Sequence, residues 1–317
     1  MKNFRGFLCL MMVISLFFVT RVLGSDYLII TEVGTSATTI GKGGIQGFDH
    51  TSNSIFENPA TLVYTPKIGV SSFMTNLFGE YNIMAMSGSM ETKFGTFGLG
   101  LVQGGVNGLS NTSVSGGFIQ EDGTFSFQDL IFKLGYSTRL SPDLSMGVGC
   151  SYYQKSISTV SGTGVGCDYG IYYVGPLGDA SVIVRNMFGG AVRYSSDVSE
   201  ALPSQLVFSG RVPYEDYKLY GQCKLQTNKP LLTSFGVSSS VFGVPSLSWM
   251  AGYKQFWVLN KAQSCVTFGM TFTVAPLSIQ YAFEPSNFVE QSGKHYLSFS
   301  TEIDTTSKSP LEILGVK

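Results

Sequence analysis

Between residues 265 and 274 the chain reads CVTFGMTFTV. In an extended strand Val266, Phe268, Met270, Phe272 and Val274 share one face, while Cys265, Thr267, Gly269, Thr271 and Thr273 share the other. PLSIQYAF (276–283) repeats the pattern, with Leu277, Ile279, Tyr281 and Phe283 opposing Ser278, Gln280 and Ala282. In YKLYGQCKLQ (217–226), Tyr217, Leu219, Cys223 and Leu225 oppose Lys218, Tyr220, Gln222 and Lys224. About fourteen such segments follow one another, each near the ~9–11 residues that cross a bilayer as a tilted strand. They begin near Lys67, Tyr81, Lys93, Phe127, Asp143, Val160, Gly178, Pro203, Asp216, Leu231, Pro245, Gln263, Pro276 and Lys294. Alternation is weak in the first two, whose facing stays open.

Every second connection is short, with turns near Thr92, Pro142, Pro176, Glu215, Gly243 and Ala275. Among the intervening connections, 104–126, 189–202, 254–262 and 285–292 are longer. Short turns at one end and longer loops at the other are the habit of outer-membrane barrels. An even strand number puts both termini at the short-turn, periplasmic end. A soluble β-sandwich also alternates. Its core could not bury the Ser, Thr, Gln, Gly and Lys of the second face unpaired, whereas in lipid only a closed sheet satisfies every backbone group. The pattern therefore predicts an all-β chain, a transmembrane antiparallel barrel of about fourteen strands.

Composition sharpens this picture. Only 13% of residues are charged, the net charge is −1, and there are 38 Gly, 24 Phe and 16 Tyr. No basic surface for nucleic acid is present. Lys2 and Arg5 precede the apolar run 7–19, and Val22 and Gly24 are small-residue positions before a cut at Ser25. This predicts a cleaved signal peptide over 1–24, with a retained anchor as the alternative. The run is shorter than a spanning helix requires. Downstream of Ser25 no apolar stretch approaches that length. The expected division is a signal peptide (1–24), an N-terminal plug (25–66), a barrel (67–303) and a periplasmic tail (304–317), in the bacterial outer membrane.

Residues 25–66 have no sustained strand period. Gly34, Gly41, Gly43, Gly44 and Gly47 allow tight turns, Pro59 biases Asn58 toward extended geometry, and the Asn58 side chain can bond nearby backbone. Ile29, Ile30, Ile40, Ile45, Ile55, Phe56 and Leu62 give apolar anchors. A compact plug fits; a loose leader is the alternative. Gly162, Gly164, Gly166 and Gly170 share one face of the sixth strand, and Gly147 and Gly149 the matching face of the fifth. These predict a bare inner wall where the plug or a ligand lies.

GTSATTIGKGGIQGFDHTSNSIFENPATL resembles the N-terminal signature of PorV/PorQ-type outer-membrane proteins, relatives of the FadL long-chain fatty-acid transporters. Gly34-Thr35, Gly43-Gly44 and Asn58-Pro59-Ala60 carry the match. Phe56-Glu57 stand where that family often has Trp or Asn. LPSQLVFSGRVPY (202–214) and the segments within 275–303 are similar to its eighth and last two strands. The resemblance implies a fourteen-stranded barrel with an N-terminal hatch. It also implies either passive uptake of hydrophobic molecules such as long-chain fatty acids, or a non-transporting shuttle that docks secreted proteins on loops 104–126 and 189–202.

Candidate chemistry lies in the few inward charges. Asp129 and Lys133 point inward from strand four, Asp168 from six, Arg185 from seven and Arg211 from eight. They serve either plug-to-wall pairing or capture of an anionic head group, for which Arg185 and Arg211 form the expected pair. His50 and His295 have no nucleophile motif beside them, which argues against an enzyme. GKGG (41–44) lacks phosphate-loop spacing, the cysteines resemble no metal site, and no cofactor is expected. If Ser158 and Thr159 form a two-residue turn, Cys150 and Cys167 lie opposite each other on the outer face. A disulfide there and two small lipid-facing residues are both open.

Overall fold

The computed structural model describes residues 33–303 except 78, 196–197, 227–228, 242–243, 259–260 and 287–292. The expected signal peptide, the start of the 25–66 segment and the 304–317 tail lie outside the described residues. Two short helices, α1 (Ala37–Gly41) and α2 (Ser54–Glu57), and a 3-10 turn (Pro59–Tyr64) precede the strands. The strands are β1 (Ile68–Leu77), β2 (Tyr81–Thr92), β3 (Gly95–Ser115), β4 (Phe118–Ser141), β5 (Leu144–Ile157), β6 (Val160–Gly175), β7 (Gly178–Arg185) and β8 (Ala191–Tyr194). They continue as β9 (Ser199–Ala201), β10 (Gln205–Tyr214), β11 (Tyr217–Gln226), β12 (Lys229–Val241), β13 (Val244–Val258), β14 (Lys261–Val274), β15 (Leu277–Glu284) and β16 (Lys294–Ile303). All but β8 and β9 form a closed 14-strand antiparallel barrel, sealed where β1 pairs with β16 and where β7 pairs with β10.

Each strand of the ring pairs with two neighbours, and facing follows the period-two pattern. Val266, Phe268, Met270 and Phe272 are 48–51% exposed on the outside, whereas Thr267 between them is fully buried inside. The weak alternation of β1 and β2 has a physical cause. Val70, Met74, Met84 and Met86 face outward, but Phe73, Ile83 and Ala85 are also apolar and face a packed interior with Ala37, Ile40 and Ile55. Both faces carry apolar side chains, so hydropathy cannot separate them.

Thirteen of the expected strand starts fall close to those observed; the exception is β4, which begins at Phe118 rather than near Phe127. The expected loop 104–126 is mostly the upper part of the β3–β4 hairpin, paired as far as Ser115 with Phe118. Hydrophobic alternation fades there because both faces are exposed, while backbone pairing continues. The expected loop 254–262 is likewise mostly strand, since β13 runs to Val258 and β14 starts at Lys261. Segment 189–202 contains the β8–β9 hairpin. It leaves the ring and pairs with β6 at Gly162–Gly164.

The inward Ser, Thr and Gln side chains satisfy the irregular backbone of the N-terminal segment, as an account of buried peptide groups requires. Ala37 N donates to Ser298 Oγ (2.9 Å), Gly43 N to Thr267 Oγ1 (3.0 Å) and Gln46 N to Gln222 Oε1 (2.9 Å). Ser87 Oγ donates to Asn53 Oδ1 (2.8 Å). Ser137 and Ser145 both donate to the Ala60 carbonyl (3.0 Å each). These partners lie on β2, β4, β5, β11, β14 and β16, so residues 33–66 are fastened around the inner wall.

Candidate functional site

The Asn-Pro-Ala corner is built as its chemistry dictates. Asn58 is extended (φ −124°, ψ 107°), as a residue before proline prefers, and its Oδ1 accepts from Ala60 N (2.9 Å). Its Nδ2 donates to Ile171 O (3.1 Å) on β6 and Ser181 Oγ (2.8 Å) on β7. The bare glycine face is shared between the N-terminal segment and other parts of the barrel chain. A Cβ at Gly170 would strike Asn58 Oδ1, and one at Gly147 would strike Pro59 and Ala60. Higher up, Gly162 and Gly164 are covered by β8 through Val192, Tyr194 and Ala191, Gly166 by Asn186, and Gly149 by Lys133. Gly166 therefore makes room for the turn after β7 rather than for the N-terminal segment.

The remaining signature residues hold the first turns. Gly34 has φ +100° against Ile40, Thr35 is buried, and Gly43 and Gly44 have φ +80° and +70°. Gly43 lies so near Gly252 that a Cβ on Gly252 would overlap its backbone.

The inward charges do not converge on one point. Lys133 and Asp168 form a buried ion pair, each side chain 5% exposed. Asp168 also accepts from Asn186 N (3.0 Å). Arg185 is buried and donates to Gln46 Oε1 (2.8 Å) and Phe56 O (3.2 Å), while its Nε has no partner among the described residues. Arg211 pairs with Asp179, donates to Tyr172 Oη (3.1 Å) and lies over the Phe48 ring (5.3 Å). Arg185 stands opposite Gln205 and Arg211 opposite Asp179, which separates them by roughly 20 Å along the strands. The structure thus brings Lys133, Asp168 and Arg185 around one cavity and leaves Arg211 elsewhere. Asp129 is buried opposite Lys155, whose Nζ donates to Glu200 Oε2 (3.1 Å) on β9.

The cavity is small, about 20 Å³, enough for a water molecule and little more. Lys133, Asp168, Arg185, Asn186, Gln205 and Tyr153 contribute to its lining. It lies beside an interruption of the wall. β7 is only 8 residues long and pairs with β6 no higher than Tyr169. Asn186 then turns the chain inward (φ +48°), held by Asp168, Pro203 O and Ser204. Below the interruption the outward side chains Ile171, Val182, Val184 and Leu206 are 9%, 6%, 2% and 8% exposed. They pack on one another and on Tyr169 and Phe208. They form an apolar outer patch far less exposed than the outward side chains of β14. Sequence reasoning missed this patch and the interruption above it; the signal was the short spacing between the turn at Pro176 and the inward-turning Asn186.

At the opposite end of the lumen, Phe48, His50, Tyr64, Tyr172 and Tyr220 form an aromatic cluster, with His50 stacked on Tyr64 at 5.3 Å. Burial, then the Arg211 charge, lower the His50 pKa to about 4. Burial, then the Asp49 carboxylate, raise that of Glu57 to about 7. His295 Nδ1 meets Tyr281 Oη at 2.6 Å. Among the described residues no cluster of His, Cys, Asp and Glu could hold a metal ion.

The two shifts act in opposite directions on docking of the N-terminal segment. Glu57 prefers its protonated form when docked, so its contribution is whole below about pH 4.5 and is lost as pH rises through 7. His50 prefers its neutral form, so its contribution is whole above about pH 6.5 and is lost as pH falls through 4. Glu57→Gln should leave docking unchanged near pH 4.5 and strengthen it by about 3 kcal/mol at pH 8. Hydrogen exchange of residues 34–66 at both pH values measures this; equal gains at both would contradict the assignment to Glu57.

No family model matches the chain, and no curated protein does. Solved structures share its fold. The toluene transporter TbuX of Ralstonia pickettii aligns with a TM-score of 0.61 at 12% identity, over 86% of this chain and 99% of that one. The CymD monoaromatic hydrocarbon channel aligns with a TM-score of 0.62 at 13% identity, over 87% and 99%. A FadL homologue of Pseudomonas aeruginosa aligns with a TM-score of 0.55 at 10% identity, over 85% and 98%.

Proposed function

We propose that the chain is a passive channel of the bacterial outer membrane for hydrophobic small molecules, with residues 25–66 as its plug. The observation that carries this reading is the wall interruption above β7, where an apolar outer patch of low exposure adjoins an inner wall bonded to the chain's own N-terminal segment. On this reading a ligand entering at the long-hairpin end leaves sideways into lipid where the wall is incomplete. The likeness to hydrocarbon transporters supports the reading at the level of fold. Expression in an outer membrane lacking such channels tests it. Uptake of an uncharged monoaromatic or of a long-chain fatty acid should rise several-fold over the empty host, and equal uptake of both compounds in the two hosts would overturn it.

Arg185 is the group suited to a ligand carboxylate, because it faces the cavity with an unpartnered Nε. A charge-assisted hydrogen bond contributes about 1.5–3 kcal/mol. Arg185→Met should therefore lower uptake of a long-chain carboxylate roughly tenfold and leave an uncharged aromatic unaffected. Loss of both in equal measure would assign Arg185 to plug-to-wall bonding alone.

The β3–β4 hairpin favours a second reading, a docking barrel for secreted proteins. Its tip exposes Val114, Phe118 and Ile119 at 76%, 75% and 77%. Deleting residues 107–124 separates the two: a docking barrel loses its partner, whereas a channel keeps its uptake.

A further inference from the structure

Cys150 on β5 and Cys167 on β6 are register partners, joined across the two-residue turn 158–159. Both lie on the outer face, and their Sγ atoms are 3.4 Å apart. Gly149 precedes the first and Gly166 the second, so the backbone beside each carries little bulk. Their position has structural meaning. The last β6–β7 pair is Tyr169 with Val184. Above it, among the described residues, β6 is held on that side by three pairs to β8, at Gly162–Gly164, and by separate bonds from Ser195 N to Ser161 O (3.1 Å), Met187 N to Cys167 O (2.9 Å) and Asn186 N to Asp168 Oδ1 (3.0 Å). From Cys167 upward, β5 therefore gives β6 its continuous ladder, whereas the other side is held by a few separate bonds.

We infer that Cys150 and Cys167 are a modification site, oxidised to a cross-strand disulfide that staples β6 to β5 where β7 leaves the barrel. The inference rests on the export reading above, because an exported chain meets disulfide oxidants and a cytosolic one does not. One cysteine thiolate attacks the disulfide of an oxidised dithiol carrier, forming a mixed disulfide and expelling one carrier thiolate. The second cysteine thiolate then attacks the bonded cysteine sulfur, forming the S–S bond and expelling the other. The carrier takes the two electrons, and the two cysteine protons end on its thiols. In-register neighbours satisfy the Cα and Cβ spacing that a disulfide needs, and rotation of the two side chains closes the remaining gap. Cys223 and Cys265 have no such partner: Cys223 pairs with Phe208 and Thr233, and Cys265 with Lys254.

The test uses full-length chain in outer membranes, with Cys223→Ser and Cys265→Ser leaving the pair alone. Membranes are dissolved in denaturing detergent with N-ethylmaleimide, before and after dithiothreitol, and the intact mass is read. The expected result is no maleimide on the mature chain before reduction and two after it. Two before reduction, in a chain located in the outer membrane, overturn the bond while leaving the export reading intact; a chain retained in the cytosol overturns both. The oxidised barrel should also unfold roughly 5 °C or more above the reduced one in a heat-dependent gel-mobility assay. Coincident transitions would overturn the stapling role.

Discussion

Gly147→Val is expected to expel residues 33–66 from the inner wall while the barrel stays closed. A Cβ at Gly147 falls on the carbonyl of Pro59 and the amide of Ala60. These are backbone atoms of a turn already fixed by Asn58, so no flexible side chain can swing aside. Overpacking of this kind costs about 1–3 kcal/mol where neighbours can give, and here relief breaks the bonds from Ser137 and Ser145 to Ala60 O, each contributing about 1 kcal/mol. The sum approaches what a short segment without its own core can supply. Limited proteolysis of folded barrels checks it, with cleavage expected between residues 33 and 66 in the variant alone. Gly210→Ala and Gly221→Ala are the controls, since a Cβ at either meets no atom within 4 Å. A variant as protected as these controls would show that the corner is not what fastens the segment.

The second large effect belongs to the buried ion pair. Asp168→Asn leaves Lys133 charged and buried, with the Arg185 guanidinium across the same cavity. Removing one partner of such a pair costs about 3–5 kcal/mol, whereas replacing both by apolar groups is often neutral. Asp168 further holds Asn186 N at 3.0 Å, so its carboxylate ties the inward turn after β7 to the charge pair. The single variant should therefore lower the heat-dependent mobility transition strongly, and Lys133→Met combined with Asp168→Leu should recover much of the loss. A double variant as unstable as the single one would place the effect in the Asn186 bond instead.

How much of this was legible in the sequence depended on whether the outward face of a segment was apolar and its inward face polar. β14 was readable because Val266, Phe268, Met270 and Phe272 point outward and exposed while Thr267 bonds the N-terminal segment. β1 and β2 were obscure because Phe73 and Ile83 pack inward on that same segment. The upper β3–β4 hairpin was read as a loop because water on both faces removes the period while leaving the ladder. The role of Asn58 was foreseeable from Pro59, and the glycine wall from its parity. What parity could not supply was which occupant faces which glycine. Nor could it show that Arg185 and Arg211 stand at different levels of the same strand pair. Distance along a strand depends on register, and the short β7 sets that register only in three dimensions.

The account stands on the outward face of the strands contacting lipid. Single spin labels placed at residues 266 to 270 of the membrane-embedded chain measure this directly, through collision with oxygen, which concentrates in acyl chains, and with a water-soluble nickel complex. Labels at 266, 268 and 270 should collide mainly with oxygen, and those at 267 and 269 with neither reagent, giving an oscillation of period two. Uniform exposure to the nickel complex along the whole stretch would contradict a lipid-facing barrel wall.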